Sequence, residues 1–129
     1  MKLAYTIVYV ADPAASLDFF ERAFGLQRRF LVEGGEYGEL DTGATTLSFA
    51  RHATARANLG QDYVAADTSA LPLGIELGLV TDDVEVACAR AVNAGAVLLK
   101  APASKPWGQV VAYVRCADGT LVELCTAMG

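Results

Sequence analysis

Tyr9-Val10-Ala11-Asp12-Pro13 opens a helical pattern that closes at Gly25, and Leu79-Val80-Thr81-Asp82-Asp83 opens a second that closes at Gly95. The two stretches repeat one another at an offset of about seventy residues, and that repeat decides the fold. In the first, Asp12 suits the capping position and Pro13 the first helical position. Leu17, Phe20 and Phe24 then share a face before Gly25 takes the left-handed position after the helix. In the second, Asp82 or Asp83 caps and Glu85 complements the helix dipole, while Val84, Ala87, Cys88, Ala91 and Val92 form the apolar stripe that stops at Gly95. Each stretch reads as a strand followed by a helix.

The segments after each helix are also alike. Residues 27–33, 36–41 and 45–50 read as three strands joined by tight turns, the first turn holding Gly34-Gly35. Residues 96–100, 109–115 and 120–126 read as three more, with Lys105-Pro106-Trp107-Gly108 in a proline-broken loop and Asp118-Gly119 as the closing turn. The expected fold is therefore α+β, one domain of two βαβββ modules at residues 1–50 and 74–129. Residues 51–73 hold Gly60 and Pro72 and show no clear period, so they read as a linker. It is longer than ordinary loops, as expected of a segment that crosses the molecule, covers a site or reaches a partner. One helix covers only one face of a four-stranded sheet. The other face of each sheet must meet its counterpart, a partner chain or a ligand, and function is expected there.

Composition narrows the function. The formal net charge of −5 leaves no basic stripe for a nucleic acid. With 53% hydrophobic and 19% charged residues, the chain has ample material for a core. No run approaches the roughly 18 apolar residues of a membrane span, so no membrane partner is expected. The apolar run from Leu3 to Ala11 behind Lys2 has signal-peptide length, but its near copy in mid-chain makes it a strand. Three cysteines without close spacing suggest neither a disulfide framework nor a zinc knuckle, and a cytoplasmic location is expected. The glycines are scattered, with no phosphate-cradling loop.

By strand alternation Tyr5, Ile7 and Tyr9 share one face and Thr6, Val8 and Val10 the other. Tyr113 and Trp107 are expected to join the first set, offering rings and phenolic hydroxyls to a planar or cationic ligand. Cys125 shares a strand face with Glu123, a carboxylate that raises a thiol's pKa, and so reads as a wall residue rather than a nucleophile. Cys88 belongs to the second apolar stripe and Cys116 to a turn. His52, the single histidine, reads as a solvent-facing loop residue.

Val10-Ala11-Asp12-Pro13, Ser16, Phe19-Phe20 and Phe24-Gly25-Leu26 in the first half resemble the vicinal oxygen chelate superfamily. So do Val80-Thr81-Asp82-Asp83-Val84, Ala94-Gly95-Ala96, Lys105-Pro106-Trp107-Gly108-Gln109 and the closing Asp118-Gly119-Thr120-Leu121-Val122-Glu123-Leu124 in the second. That superfamily includes glyoxalase I, extradiol dioxygenases, fosfomycin-resistance enzymes and bleomycin-resistance proteins. The resemblance implies four metal-ligand positions, one on the first and one on the last strand of each module. Here they fall at Tyr5, at Ser48 or Phe49, at Glu76 and at Glu123, and only the two glutamates are good ligands.

The resemblance thus implies a member of the bleomycin-resistance type that captures a small organic molecule without metal. Tyr5, Ile7, Tyr9, Glu76, Trp107, Tyr113 and Glu123 are expected to line the cleft, the chain working as a homodimer with or without exchange of modules. Without a metal, Glu76 and Glu123 repel, and one should gain a proton or a partner such as the Tyr5 hydroxyl. The alternative is a glyoxalase-like lyase or isomerase acting on an α-oxo substrate, with a divalent metal on Glu123 and Glu76. A third reading is an interaction module whose open face a partner chain covers.

Overall fold

The computed structural model describes residues 1–128. The first module runs β1 (Tyr5–Val10), α1 (Pro13–Phe24), β2 (Gln27–Leu31), β3 (Tyr37–Asp41) and β4 (Thr46–Arg51). A short helix, α2 (His52–Leu59), follows. The second module runs β5 (Leu77–Val80), α3 (Val84–Ala94), β6 (Val97–Ser104), β7 (Val110–Arg115) and β8 (Leu121–Cys125). The sheet orders are β1-β4-β3-β2 and β5-β8-β7-β6, so the modules share one topology. In each, the opening strand pairs in parallel with the closing strand and the rest is antiparallel. The α+β architecture of two βαβββ modules follows.

The local causes match the sequence signals. Asp12 caps α1 by accepting from the Ala14 amide, Pro13 starts the helix, and Gly25 ends it at φ 70°. Of the two acids before α3, Asp83 is the cap, accepting from the Val86 amide. Leu17 and Phe20 are fully buried against the inner side of sheet 1, where the Phe20 and Phe49 rings lie 5.0 Å apart. A Cβ at Gly38 would meet Leu17 Cδ1 at 2.5 Å, so glycine sets how closely β3 approaches α1.

The modules meet through α1 and α3, and one continuous core includes Leu17, Phe20 and Phe49 with Val84, Cys88, Val114 and Val122. Arginines lock the helix pair reciprocally: Arg22 Nη1 donates to the Ala94 carbonyl (3.3 Å) and Arg90 Nε to the Arg22 carbonyl (2.8 Å). Ser16 Oγ on α1 also donates to Asp118 Oδ2 in the β7–β8 turn at 2.7 Å. The open faces of both sheets keep large apolar side chains in solvent, with Tyr5, Ile7, Val80 and Val97 all exposed.

Two expectations are corrected. The strand after α3 does not stop at Lys100 but continues through Pro102 to Ser104. It tolerates the proline because β6 is an edge strand and its pairing is broken by register shifts on both sides of Lys100. Residues 51–73 are not featureless, because 52–59 form α2. That helix buries only Ala55 and has no side-chain cap, so neither a stripe nor a start signal marks it. No helix among the described residues is long and apolar enough to cross a membrane.

Candidate functional site

Register places the side chains of the open faces. Tyr5, Ile7 and Tyr9 stand beside Thr46, Ser48 and Ala50 of β4, and Ser48 and Ala50 pair in turn with Glu39 and Tyr37 of β3. The last-strand position of module 1 that shares a face with Tyr5 is therefore Ser48, while Phe49 points into the core. Ser48 is fully buried, and among the described residues its Oγ has no hydrogen-bond partner. Next to it the buried Glu39 accepts from Tyr37 Oη at 2.7 Å and from Arg29 Nη1 at 3.4 Å. Burial, reinforced by the Glu39 carboxylate, raises the pKa of the Tyr37 phenol.

Sheet 2 carries a parallel arrangement. Glu123 on β8 pairs with Gly78 of β5 and Tyr113 of β7, and Tyr113 Oη donates to Glu123 Oε1 at 2.9 Å. That hydrogen bond, with burial, pushes the Tyr113 phenol up to about 12. Cys125, on the same face, has its thiol raised by burial and then by Glu123. Each open face thus presents a tyrosine hydroxyl bound to a partly or fully buried carboxylate. Glu123 has the hydroxyl partner it requires, but the donor is Tyr113 rather than Tyr5.

Glu76 precedes β5 on the same face. It is exposed, yet partial burial and then the Glu123 charge raise its pKa. With Ile7, Tyr9 and Leu77 it lines a cavity of about 180 Å³ between the edge strands β1 and β5. Trp107 stays apart. It is 62% exposed, and its indole donates to Gln109 Oε1 at 2.7 Å. Ile7, Tyr9 and Glu76 are therefore brought together, and so are Tyr113 and Glu123, whereas Tyr5 stands exposed on sheet 1 and Trp107 on its loop.

The segment after α2 roofs this cavity with Tyr63, Val64 and Ala66. Tyr63 packs on Tyr9 with ring centroids 4.9 Å apart, and the Arg56 guanidinium lies 4.9 Å from the Tyr63 ring. His52 is not a solvent-facing loop residue. Its side chain is 16% exposed, Nδ1 bonds Tyr63 Oη, and Nε2 bonds Asp67 Oδ2 at 2.8 Å. Farther along, Arg115 Nη2 donates to the carbonyls of Ala66 (2.8 Å) and Ser69 (2.9 Å). The strap is thereby fixed to both modules. Tyr37, Glu39, His52, Tyr63 and Asp67, which border the candidate site, were missed by the sequence reading. For Tyr37 and Glu39 the signal was available in the period-two alternation of β3.

Some vicinal oxygen chelate proteins hold a metal, and several donors near the corresponding positions of this chain are neutral or already engaged. His52 is engaged with the strap, Tyr37 and Arg29 occupy Glu39, and Ser48 and Tyr5 are poor neutral donors. Among the described residues no three His, Cys, Asp or Glu side chains converge as metal ligands. Glu76 and Glu123 remain as carboxylate donors, and a divalent ion held there would need water or a ligand to complete its shell.

Residues 2–124 match the family model described as the Glyoxalase/Bleomycin resistance protein/Dioxygenase superfamily. No curated protein matches the chain. Among solved structures, a glyoxalase-related enzyme from Fulvimarina pelagi is similar at TM-score 0.84 and 21% identity, covering 98% of this chain and 88% of that one. A glyoxalase/bleomycin resistance protein/dioxygenase family enzyme from Burkholderia phytofirmans PsJN is similar at TM-score 0.78 and 23% identity, covering 99% and 100%. The hypothetical protein SA1046 from S. aureus gives TM-score 0.77 at 17% identity, covering 98% and 94%. At these identities the likeness carries the fold and no specific chemistry.

Proposed function

The chain belongs to the Glyoxalase/Bleomycin resistance protein/Dioxygenase superfamily, and on that premise we propose that it captures a small organic molecule without a metal. The observation that carries this reading is the state of the acids at the family's ligand positions. Glu123 is bound by the Tyr113 hydroxyl, and Glu76 faces an apolar cavity, with no third His, Cys, Asp or Glu converging on them among the described residues. Such acids recognise a ligand's positive charge or hydrogen-bond donors, while the rings of Tyr5, Tyr9, Tyr113 and Trp107 offer stacking surface. The chain's formal net charge of −5 favours a cationic or electron-poor ligand over an anion.

The exposed Tyr5, Ile7, Val80 and Val97 support a homodimer in which a second copy completes the cleft over each open face. The three free, buried cysteines fit a reducing cytoplasm. Calorimetric titration of chelator-treated protein with a library of cationic and planar aromatic compounds tests the reading. Saturable binding by at least one member is expected. Failure of every compound, together with turnover of an α-oxo substrate on adding a divalent metal, would reject it.

A further inference from the structure

The geometry points to a defined ligand class for the seam between the modules: the cavity between β1 and β5 takes a small hydrophobic amine, its body against Ile7, Tyr9 and Leu77 and its ammonium at Glu76. This assignment rests on the capture reading and narrows it.

Size comes first. A cavity of about 180 Å³ is slightly larger than the roughly 150 Å³ apolar cavity known to accept benzene, so it holds a body of about six to eight heavy atoms.

The walls are preformed. Tyr63 is held by Tyr9, Arg56 and His52, the ring of His52 is held in turn by Asp67, and Arg115 grips the next turn of chain at Ala66 and Ser69. The Asp118-Gly119 turn presses on the same segment so closely that a Cβ at Gly119 would lie 2.1 Å from the Ala66 carbonyl oxygen. A roof fixed at this many points loses little entropy when a ligand enters.

Charge selects among ligands of that size. The lining has no Lys or Arg, and among the described residues Glu76 has no cationic partner within salt-bridge distance. The Glu123 charge acts on it and repels it. An ammonium placed there is attracted by Glu76 and relieves the repulsion from Glu123, whereas a carboxylate adds a third negative charge. A neutral isostere gains the apolar contacts alone.

The test is calorimetry at pH 7 with benzylamine, benzyl alcohol and benzoate, joined to methyl NMR for location. Benzylamine should bind about five- to tenfold tighter than benzyl alcohol, and benzoate should not bind. Glu76→Gln should erase the preference for the amine while leaving benzyl alcohol binding intact, which shows that the variant is folded. Tyr63→Ala, which removes the roof, should weaken both. Methyl shifts should move at Ile7, Ile75 and Leu77. Equal affinity for amine and alcohol, or an unchanged preference in Glu76→Gln, overturns the assignment. Shifts at Val80 and Val97 instead place the ligand on the open face of sheet 2, which overturns the seam site but leaves the capture reading standing. No heat with benzylamine from a protein that light scattering shows to be dimeric means that a second copy seals the seam, and that also overturns it.

Discussion

Glu123 and Tyr113 form the clearest unit at the scale of single residues. The Tyr113 phenol is raised to about 12 by its bond to Glu123 and by burial, so the folded state favours its neutral form. For a group raised on folding, the stability it contributes is intact below the ordinary tyrosine value of about 10 and is lost as pH climbs through the folded value. Denaturant midpoints should therefore fall between about pH 10 and 12, and Tyr113→Phe should flatten that fall. Spectroscopic titration of the phenols should show one tyrosine shifting toward ordinary values in Glu123→Gln. An unchanged titration would mean that the bond does not set the pKa.

Gly119 provides a second prediction at this scale. It sits at φ 87° and leaves no room for a Cβ beneath the Ala66 carbonyl. Gly119→Ala should cost at least about 1–3 kcal/mol in denaturant unfolding and disturb the strap. The Asp118-Gly119 turn was legible because the Asp-Gly pair is a strong local signal. The carbonyl above it was not, because it comes from a segment some fifty residues away with no pattern of its own.

Among the elements, legibility followed the strength of local signals. Both long helices were readable from their stripes and end residues, and the choice between Asp82 and Asp83 was left to geometry. Asp83→Ala should cost about 1 kcal/mol and Asp82→Ala less than about 0.5 kcal/mol, as measured by thermal or denaturant unfolding. Equal costs would mean that the cap bond seen at Val86 is not what holds the start of α3. The short helix α2 escaped because its sequence, HATARANL, buries one alanine and leaves its single large apolar residue, Leu59, exposed. Tertiary contacts hold it, against β4 and β1 and through the bonds of His52 to the strap. His52→Ala should therefore raise amide hydrogen exchange in residues 63–70 while α1 and β8 remain protected. Exchange spreading to the whole chain would instead make the histidine a general stability residue. The strand β6 outran its reading because proline usually ends a strand, and only its edge position makes Pro102 harmless.

At the scale of the whole molecule, the duplication visible in the sequence accounts for both sheets, and one helix per module leaves one face of each sheet without a helix to cover it. How the modules join was not legible. Helix–helix contact, reciprocal arginine bonds and the Ser16–Asp118 link depend on side chains meeting across the repeat, which no periodicity records. The candidate site was partly legible for the same reason. Alternation placed Tyr5, Ile7 and Tyr9 on one face, whereas the roof over the seam and the tyrosine partner of Glu123 appear only once strands and linker are in register. If a second copy covers the open faces, light scattering should report a dimer, and Val80→Asp should lower its association constant by about tenfold or more through a buried unpaired charge.

If this family fold binds an organic ligand through acids and rings and not through a metal, as proposed, titration of a binding compound into chelator-stripped protein, alongside elemental analysis of the same sample and of Glu123→Gln, decides it. Saturable binding unaffected by stripping, no stoichiometric divalent metal, and weaker binding in Glu123→Gln are expected. Binding abolished by stripping and restored by one equivalent of a divalent metal, with that metal lost in Glu123→Gln, would overturn the proposal.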